Sequence, residues 1–484
     1  MKAYIFLSVH EELFHRVADR LRVFGVTEFS GFAWGRQQAN AIANRGLTYD
    51  PMVIFTRDLL PLANDGSPPD IAWLERRERE LGISITRMLS AERHLLRGRT
   101  QDQILRMAEV ALREIDAAYE RARPDFVFTE DVSCFHSYVH YAIAKERGIP
   151  FWRIGTGRLP KRLAIYSEGL QKLGRVEEIY AQLLKRELTE GELEQASTYL
   201  MNFRNRPKRP PAIESLDRPP GIGLADLPRL ADAVLHYFGD PQNPTATSPL
   251  RVLRQRIERI ARVRHAELSR VFEPPVVGEK YVLYPLHFQP EASTLVQAPL
   301  YMDQVSLLQD MARSLPIGHR LYVKEHVSSR GRRPVSFYQA IRKIDSVRLL
   351  SPNEDTWALI RGADAIAVIT GTVGWEGVMF EKPVVTFGDV FFNALPQVIR
   401  ASEYPKDRWY EMFRTAIFDH QPNPRALLAY ITAMHQGSFP GQIHNPRTFP
   451  HVLEDENVQN MTVALATTLG LTKPLETARK GAVR

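Results

Sequence analysis

The sequence predicts an α/β protein made of two Rossmann-like halves with helical additions. Three observations carry that prediction. Residues 363–388, Ala-Asp-Ala-Ile-Ala-Val-Ile-Thr-Gly-Thr-Val-Gly-Trp-Glu-Gly-Val-Met-Phe-Glu-Lys-Pro-Val-Val-Thr-Phe-Gly, read as a strand, a glycine-rich turn, a helix and a second strand. Residues 125–154 show the same β-α-β order over about thirty residues, a typical length for that unit. A chain of 484 residues is too long for one core and long enough for two domains with extensions.

Within the first stretch, 365–369 is a short β-branched, apolar run of the kind that forms a strand buried on both faces. Thr370, Gly371, Thr372 and Gly374 then let the backbone turn tightly and a ligand approach closely. Residues 373–380 are the expected helix, and Pro383 stops it before the strand 384–387. The helix N-terminus offers N–H groups and the positive end of the helix dipole, both suited to a phosphate. Glu376 lies in the first turns, where a carboxylate can accept hydrogen bonds from ribose hydroxyls. A plain crossover, with Glu376 only capping its helix, would account for the same residues.

Composition narrows the class. Hydrophobic residues at 44% and charged residues at 25% are ordinary for a soluble globular protein. The single cysteine, Cys134, excludes a disulfide framework and a multi-cysteine zinc site, and fits a reducing, cytoplasmic compartment. The apolar start, residues 1–8, is too short for a signal peptide and reads as the first strand. No apolar run approaches the roughly 20 residues that span a bilayer. A formal charge of +7 and a pI near 9.3 allow contact with the anionic inner-membrane face or a polyanionic substrate. No nucleic-acid motif accompanies that charge, so nucleic acid is not an expected partner.

In chain order, His10 opens a loop before a helix at 12–21, and mixed segments lead to a strand at 52–55. Residues 65–70 are a Pro/Gly loop, and 101–121 carry apolar positions at helical spacing. A strand at 126–129 ends in Glu130-Asp131, followed by a helix at 138–147 and a strand at 151–154. In open α/β sheets ligands sit beyond the carboxyl ends of strands, which makes Glu130 and Asp131 candidates; capping of the next helix is the competing role. Gly155-Thr-Gly157 lacks the third glycine of a dinucleotide fingerprint. Residues 204–220, rich in Pro and Arg, read as a linker, 224–238 as a helix, and 250–272 as a long basic helix with a solvated face. No solenoid repeat is present. The resulting division is 1–203, a linker and helical segment 204–278, a second domain 279–435, and a C-terminal helical extension and polar tail 436–484.

The second domain supplies strands at 281–284, 320–324 and 347–350, and Ser351-Pro-Asn-Glu354 reads as a capping box for a helix through Ile360. The alternation implies a parallel sheet. Three strand-end loops should then converge, carrying His287, Gln289, Glu291, Lys324, His326, Thr370, Thr372 and Glu376. Arg330, Arg332 and Arg333 follow His326 and could hold an anionic acceptor or a phosphate; a solvated basic loop is the alternative.

The signatures Gln289-Pro-Glu-Ala-Ser293, Val323-Lys-Glu-His326 and Thr370-Gly-Thr-Val-Gly-Trp-Glu376, with Lys382-Pro-Val384, resemble bacterial capsule and surface-polysaccharide biosynthesis glycosyltransferases, in particular the retaining β-Kdo transferases. The resemblance covers 281–392. It implies a GT-B fold, two Rossmann-like domains facing across a cleft, with a nucleotide sugar such as CMP-Kdo bound by the C-terminal half and a glycan or glycolipid acceptor by the N-terminal half. It implies further that Glu291 stands where the β-Kdo enzymes carry an Asp nucleophile, and that His326-Val327 replaces their phosphate-contacting His-Pro pair. Gln289, Lys324, His326, Thr370, Gly371, Thr372, Gly374 and Glu376 are then the donor-binding set, and Glu291, Glu130, Asp131 and His287 the catalytic set. No metal or cofactor beyond the co-substrate is expected, because no Asp-x-Asp signature lies in this half. Contacts with the inner membrane or with polysaccharide-assembly proteins are compatible partners. The rivals are a UDP- or GDP-sugar GT-B enzyme, a UDP-sugar 2-epimerase-like isomerase, and a glycan-binding or assembly protein without chemistry.

Overall fold

The computed structural model describes residues 1–7, 10–43, 45–93, 95–167, 173–205, 242–243 and 246–471, with a few positions between 231 and 239. The linker read at 204–220 (apart from its first two residues), most of the helix read at 224–238, and the tail from 472 lie outside them. The chain forms two units. Unit 1 is Met1–Val176, Asp232–Ser248 and Met434–Arg484; unit 2 is Glu177–Ala231 and Pro249–Ala433.

Unit 1 holds the strands β1 (Lys2–Leu7), β2 (Glu28–Ala33), β3 (Tyr49–Ile54), β4 (Phe126–Thr129), β5 (Phe151–Thr156) and β6 (Arg162–Ser167). With the short late strand β13 (Phe439–Pro440) they pair in the order β13-β6-β5-β4-β1-β2-β3. The run from β5 to β3 is parallel, while β6 and β13 pair antiparallel at one edge. β1 is buried on both faces, as its near-continuous apolar sequence requires. Ala3, Ile5 and Leu7 pack with Leu13, Phe14 and Val17 of the Glu11–Leu21 helix and with Met461 and Leu465 of the Asp455–Thr468 helix. On the other face Tyr4 and Phe6 meet Tyr119 and His140.

Unit 2 holds β7 (Lys280–Pro285), β8 (His319–Lys324), β9 (Val347–Leu350), β10 (Ala365–Val368), β11 (Val384–Thr386) and β12 (Val398–Arg400), all parallel, in the order β12-β11-β10-β7-β8-β9. Val282, Tyr284, Leu321, Val323 and Ala367 pack with Leu307, Leu308 and Met311 of the Gln304–Ser314 helix and with Trp409 and Met412. The α/β class with two largely parallel sheets is therefore as the sequence predicts. Both units also reverse direction in the same way. The chain lays down a first strand (β1 or β7) and builds two strands outward, then returns to place the fourth (β4 or β10) on the first strand's other side. Such a reversal opens a crevice at the carboxyl ends of the first and fourth strands, where ligands of open α/β sheets bind.

Several elements differ from the sequence reading. The 177–203 segment, assigned above to the first domain, belongs to unit 2. Its Glu190–Arg204 helix packs Phe203 on Trp357, and Arg204 donates to the Met379 carbonyl at 2.7 Å and pairs with Glu381 at 3.0 Å. The C-terminal extension is not an appendage but part of unit 1, because the apolar face of its Asp455–Thr468 helix covers β1. Strand β2 escaped notice because Ser30 and Gly31 interrupt its apolar run. Gly155 and Gly157 serve the β5–β6 hairpin, where the Gly157 N–H donates to the Arg162 carbonyl at 2.8 Å. The helix after β9 is Thr356–Gly362, capped by Asp355 rather than Ser351.

Gly374, a donor-binding candidate, faces the sheet instead. A Cβ there would lie 2.8 Å from Val368 Cγ2 and 2.9 Å from Phe392 Cζ, both fully packed side chains. Gly374→Ala is expected to cost about 1–3 kcal/mol of stability by overpacking, read as a lowered melting temperature.

Candidate functional site

In unit 2 the crevice lies between the loops that follow β7 and β10. His287 leaves β7 and is buried; its Nε2 accepts the Thr370 N–H at 3.1 Å. The Thr370 hydroxyl donates to the Ser293 carbonyl at 3.0 Å, so two contacts tie the loops together. Burial, with the cationic Arg333 and neighbouring His326 adding to it, pushes His287 down to about 3, and the ring stays neutral with Nε2 as acceptor. A Cβ at Gly371 would stand 3.0 Å from that same nitrogen, so glycine is what admits the imidazole. His287 thus sits as a strut between loops rather than as an exposed acid or base.

Gln304 completes the strut. Its Oε1 accepts the His287 N–H at 2.8 Å, and its Nε2 donates to the His287 carbonyl at 3.0 Å and to Gln289 Oε1 at 2.7 Å. Gln289 also donates to the Met302 carbonyl at 2.8 Å. Both ends of its amide are therefore engaged within the protein. Glu291 follows, exposed, at the N-cap position of a short turn, Ala292–Leu295. One carboxylate oxygen accepts the Ser293 hydroxyl at 2.9 Å.

The loop after β8 carries the charge. Lys324 is buried, and its Nζ donates to the Pro352 carbonyl at 3.0 Å. Glu325, beside it, is completely buried and pairs with Arg333 Nε at 3.1 Å, while Arg333 also donates to the His287 carbonyl. Burial raises the Glu325 carboxyl, and Arg333 opposes that rise. Arg333 is therefore committed to a carboxylate that could not otherwise stay inside, not offered to an anionic ligand. Arg330 and Arg332 lie further out, their carbonyls accepting Arg259 Nε at 2.7 Å and Arg262 at 2.6 Å.

His326 points outward. Its Nδ1 accepts the Ser328 N–H at 3.1 Å, so the neutral ring carries its proton on Nε2 and presents a hydrogen-bond donor. Partial desolvation, with Lys324 and Arg333 close by, holds it down to about 4. The Thr372–Met379 helix begins at Gly371 without a side-chain cap, leaving its N-terminal N–H groups for an anion. Glu376, one turn in, accepts the Trp357 indole N–H at 3.1 Å.

The crevice of unit 1 is built the same way. His10 follows β1 and Glu130 follows β4, and His10 Nδ1 lies 2.8 Å from Glu130 Oε2, with the histidine buried and the carboxylate partly exposed. Asp131 instead pairs with the buried Arg153, and burial raises its carboxyl. Of the two candidates, Glu130 meets a histidine and Asp131 a guanidinium. His444 is lowered by burial and by its neighbours His451, 6.4 Å away between ring centroids, and His10. The sequence gives no local signal for this, since His444 and His451 lie more than 400 residues from His10. Among the described residues no group of three or more His, Cys, Asp or Glu side chains is placed to hold a metal ion.

With this geometry in view, comparison with known proteins is informative. Residues 242–411 match the family model for "Capsule polysaccharide biosynthesis protein". The residues that carry the resemblance read from the motifs, 281–392, lie within that span. The matched span begins before the Pro249–Leu268 helix, runs beyond β12 and contains every donor-side residue named above. No curated protein matches the chain. Among solved structures, the KpsC β-Kdo 2,7 transferase of Thermosulfurimonas dismutans is 14% identical, with 74% of this chain and 89% of that chain covered and a TM-score of 0.38. The β-Kdo 2,4 transferase of the same organism gives 13%, 72%, 88% and 0.35. The UDP-GlcNAc 2-epimerase of Methanocaldococcus jannaschii, in complex with UDP-GlcNAc and UDP, gives 11%, 90%, 100% and 0.28.

The Glu325–Arg333 pair makes a pH-dependent prediction. Removing the guanidinium in Arg333→Met leaves a buried carboxylate unpaired and is expected to cost about 3–5 kcal/mol. The folded carboxyl is already raised above its unfolded value, and loss of Arg333 raises it further. The deficit is therefore full at neutral pH and shrinks as pH falls toward the raised value, where Glu325 becomes protonated. Melting temperatures of both proteins across pH should converge on the acid side, and Glu325→Gln in the Arg333→Met background should recover stability at neutral pH.

Proposed function

We propose that this protein is a nucleotide-sugar-dependent glycosyltransferase of capsular or surface polysaccharide biosynthesis, with CMP-Kdo as the donor favoured by its motifs. The observation that carries the proposal is the tied crevice of unit 2. His287, Thr370 and Ser293 fix two strand-end loops, so that Glu291, the His326 Nε2–H and the N-terminus of the Thr372–Met379 helix are held on one sheet edge. The family match over 242–411 supports it.

In this reading the donor phosphate takes hydrogen bonds from His326 and from the helix N–H groups, which strengthen as negative charge develops on the leaving nucleotide. The buried Lys324 adds positive potential without touching the ligand, and Glu376, one of whose oxygens accepts the Trp357 indole N–H, is assigned to a ribose hydroxyl. The carboxylate oxygen of Glu291 that Ser293 does not hold attacks the anomeric carbon as its bond to the phosphate oxygen breaks, giving a glycosyl ester and free CMP. The acceptor oxygen then attacks the same carbon, the ester bond breaks, and the acceptor proton passes to a general base, the role for which the sequence offers Glu130 and Asp131. Two displacements retain the anomeric configuration. Arg332, and Arg330 beside its partner Glu267, are assigned to an anionic acceptor.

Nucleotide preference is the first test. CMP should raise the melting temperature, by an increment equivalent to about 2.7 kcal/mol at a hundredfold excess over its dissociation constant. His326→Ala should weaken CMP binding by about 1.5–3 kcal/mol in calorimetry, the worth of one hydrogen bond to a charged group. Stabilisation by UDP or GDP in place of CMP would move the assignment to a different nucleotide sugar, and an epimerised product formed without acceptor would make the protein an isomerase.

Glu291 decides the mechanism. Glu291→Gln is expected to abolish transfer while leaving CMP affinity within about twofold, because the side chain faces the sugar rather than the nucleotide. Wild-type protein given donor alone should gain the mass of one sugar at this residue. An inverted product anomer in NMR would eliminate the double displacement.

A further inference from the structure

The long basic helix of unit 2 presents more to solvent than the charged face that its composition suggests. It runs Pro249–Leu268 and carries six arginines and two glutamates. Two of the arginines point inward: Arg259 and Arg262 donate to the carbonyls of Arg330 and Arg332, and Ala266 is buried. Those contacts fix the helix's rotation. What faces out is Leu250 at 77% exposed, Leu253 at 43%, Ile257 at 55% and Leu268 at 84%, with exposed Ala261 between them. Their spacing places all five on one helical face, an apolar stripe that exposed Arg264 interrupts between Ala261 and Leu268. Exposed Arg251, Arg254 and His265 lie along one edge of it. Arg254, 80% exposed, donates to Glu258 within the helix.

We propose that this stripe is a membrane-surface anchor that lays the Pro249–Leu268 helix into the headgroup region of an anionic bilayer. The pattern fits: apolar side chains reach the acyl boundary while Arg254 at the stripe's edge and Arg264 within it extend their guanidinium groups to lipid phosphates. Charge decides for lipid over a second copy. Pairing two such stripes would bring arginine rims together, and only Glu258 and Glu267 on each helix could answer them. The protein's net charge of +7 has the same sign as the helix. Among the described residues no helix is long and apolar enough to cross a membrane, so attachment would be to the surface. The inference is independent of the sugar chemistry, and vesicle binding and nucleotide binding can fail separately.

The test is co-sedimentation of the full chain with vesicles of phosphatidylcholine alone and with vesicles containing about a quarter phosphatidylglycerol. Wild-type protein should sediment with the anionic vesicles and much less with the neutral ones, and added salt should weaken the binding. Leu250→Ser/Leu253→Ser/Ile257→Ser should lower the partition coefficient about tenfold or more without lowering the melting temperature, because these side chains are already in water. Arg254→Gln/Arg264→Gln should lower it about fivefold per arginine and flatten the salt dependence, and this second variant carries the test if the first folds poorly. Wild-type protein that stays in the supernatant with anionic vesicles, or a serine variant that sediments as the wild type does, would overturn the proposal. So would light scattering that finds a lipid-free dimer which the serine substitutions turn into monomer, for that would make the stripe a contact between copies.

Discussion

The reversal of strand order in each sheet is the constraint on which both candidate sites depend. A parallel sheet sends every strand-ending loop to one edge, but only at the reversal do two neighbouring loops diverge and leave room between them. Each unit bridges that room with a histidine from the first strand's loop. In unit 1 His10 reaches Glu130, and in unit 2 His287 accepts the Thr370 N–H. The two bridges differ in chemistry. His287 is shut in, neutral and engaged at Nε2, which suits a part that fixes geometry. His10 is paired with a partly exposed carboxylate, an arrangement that can hold or pass a proton.

Much of this was legible in the sequence, for identifiable reasons. The strands β7, β8 and β10 are short apolar runs ended by polar loops, so periodicity and turn residues place His287, His326 and Thr370 at one edge. What sequence could not give was the inward or outward direction of each side chain in those loops. Gln289 and Arg333 look like ligand-binding residues by type, yet one is locked to Gln304 and the other to Glu325. Glu325 was passed over because it sits between Lys324 and His326, which draw attention first. The signal was present all the same. A carboxylate at the end of a buried strand must find a cation, and Arg333 lies a short loop away. Long-range partners left no such trace, and neither the Asp455–Thr468 helix covering β1 nor His444 beside His10 follows from local pattern.

The basic helix shows why composition misleads when direction is unknown. Counting arginines along 249–268 suggests a charged, solvated surface. Two of those arginines are instead used to bind loop carbonyls at 330 and 332, and the rotation that this imposes turns the leucines outward. The same two contacts hold the loop that carries Arg333, and through it the carboxylate of Glu325. The helix is therefore coupled to the interior of the β8 loop by its inner face, whatever its outer face meets.

The protonation state of His326 follows from the same economy of charge. The buried Lys324 and the Arg333 committed to Glu325 already place two cations beneath the ring, and a third would be opposed by both as well as by desolvation. The ring is held neutral, and the Ser328 N–H on Nδ1 leaves Nε2 as its donor. On the glycosyltransferase reading this has a kinetic advantage. A neutral donor binds the ground-state phosphate only moderately, whereas its hydrogen bond strengthens as the leaving nucleotide gains charge, so more of the interaction is expressed in the transition state. A protonated histidine would hold substrate and released nucleotide alike and slow departure of the product. On that reading the cations near the loop would serve without contact: they add to the desolvation that keeps the imidazole uncharged and would supply a positive potential to the leaving group.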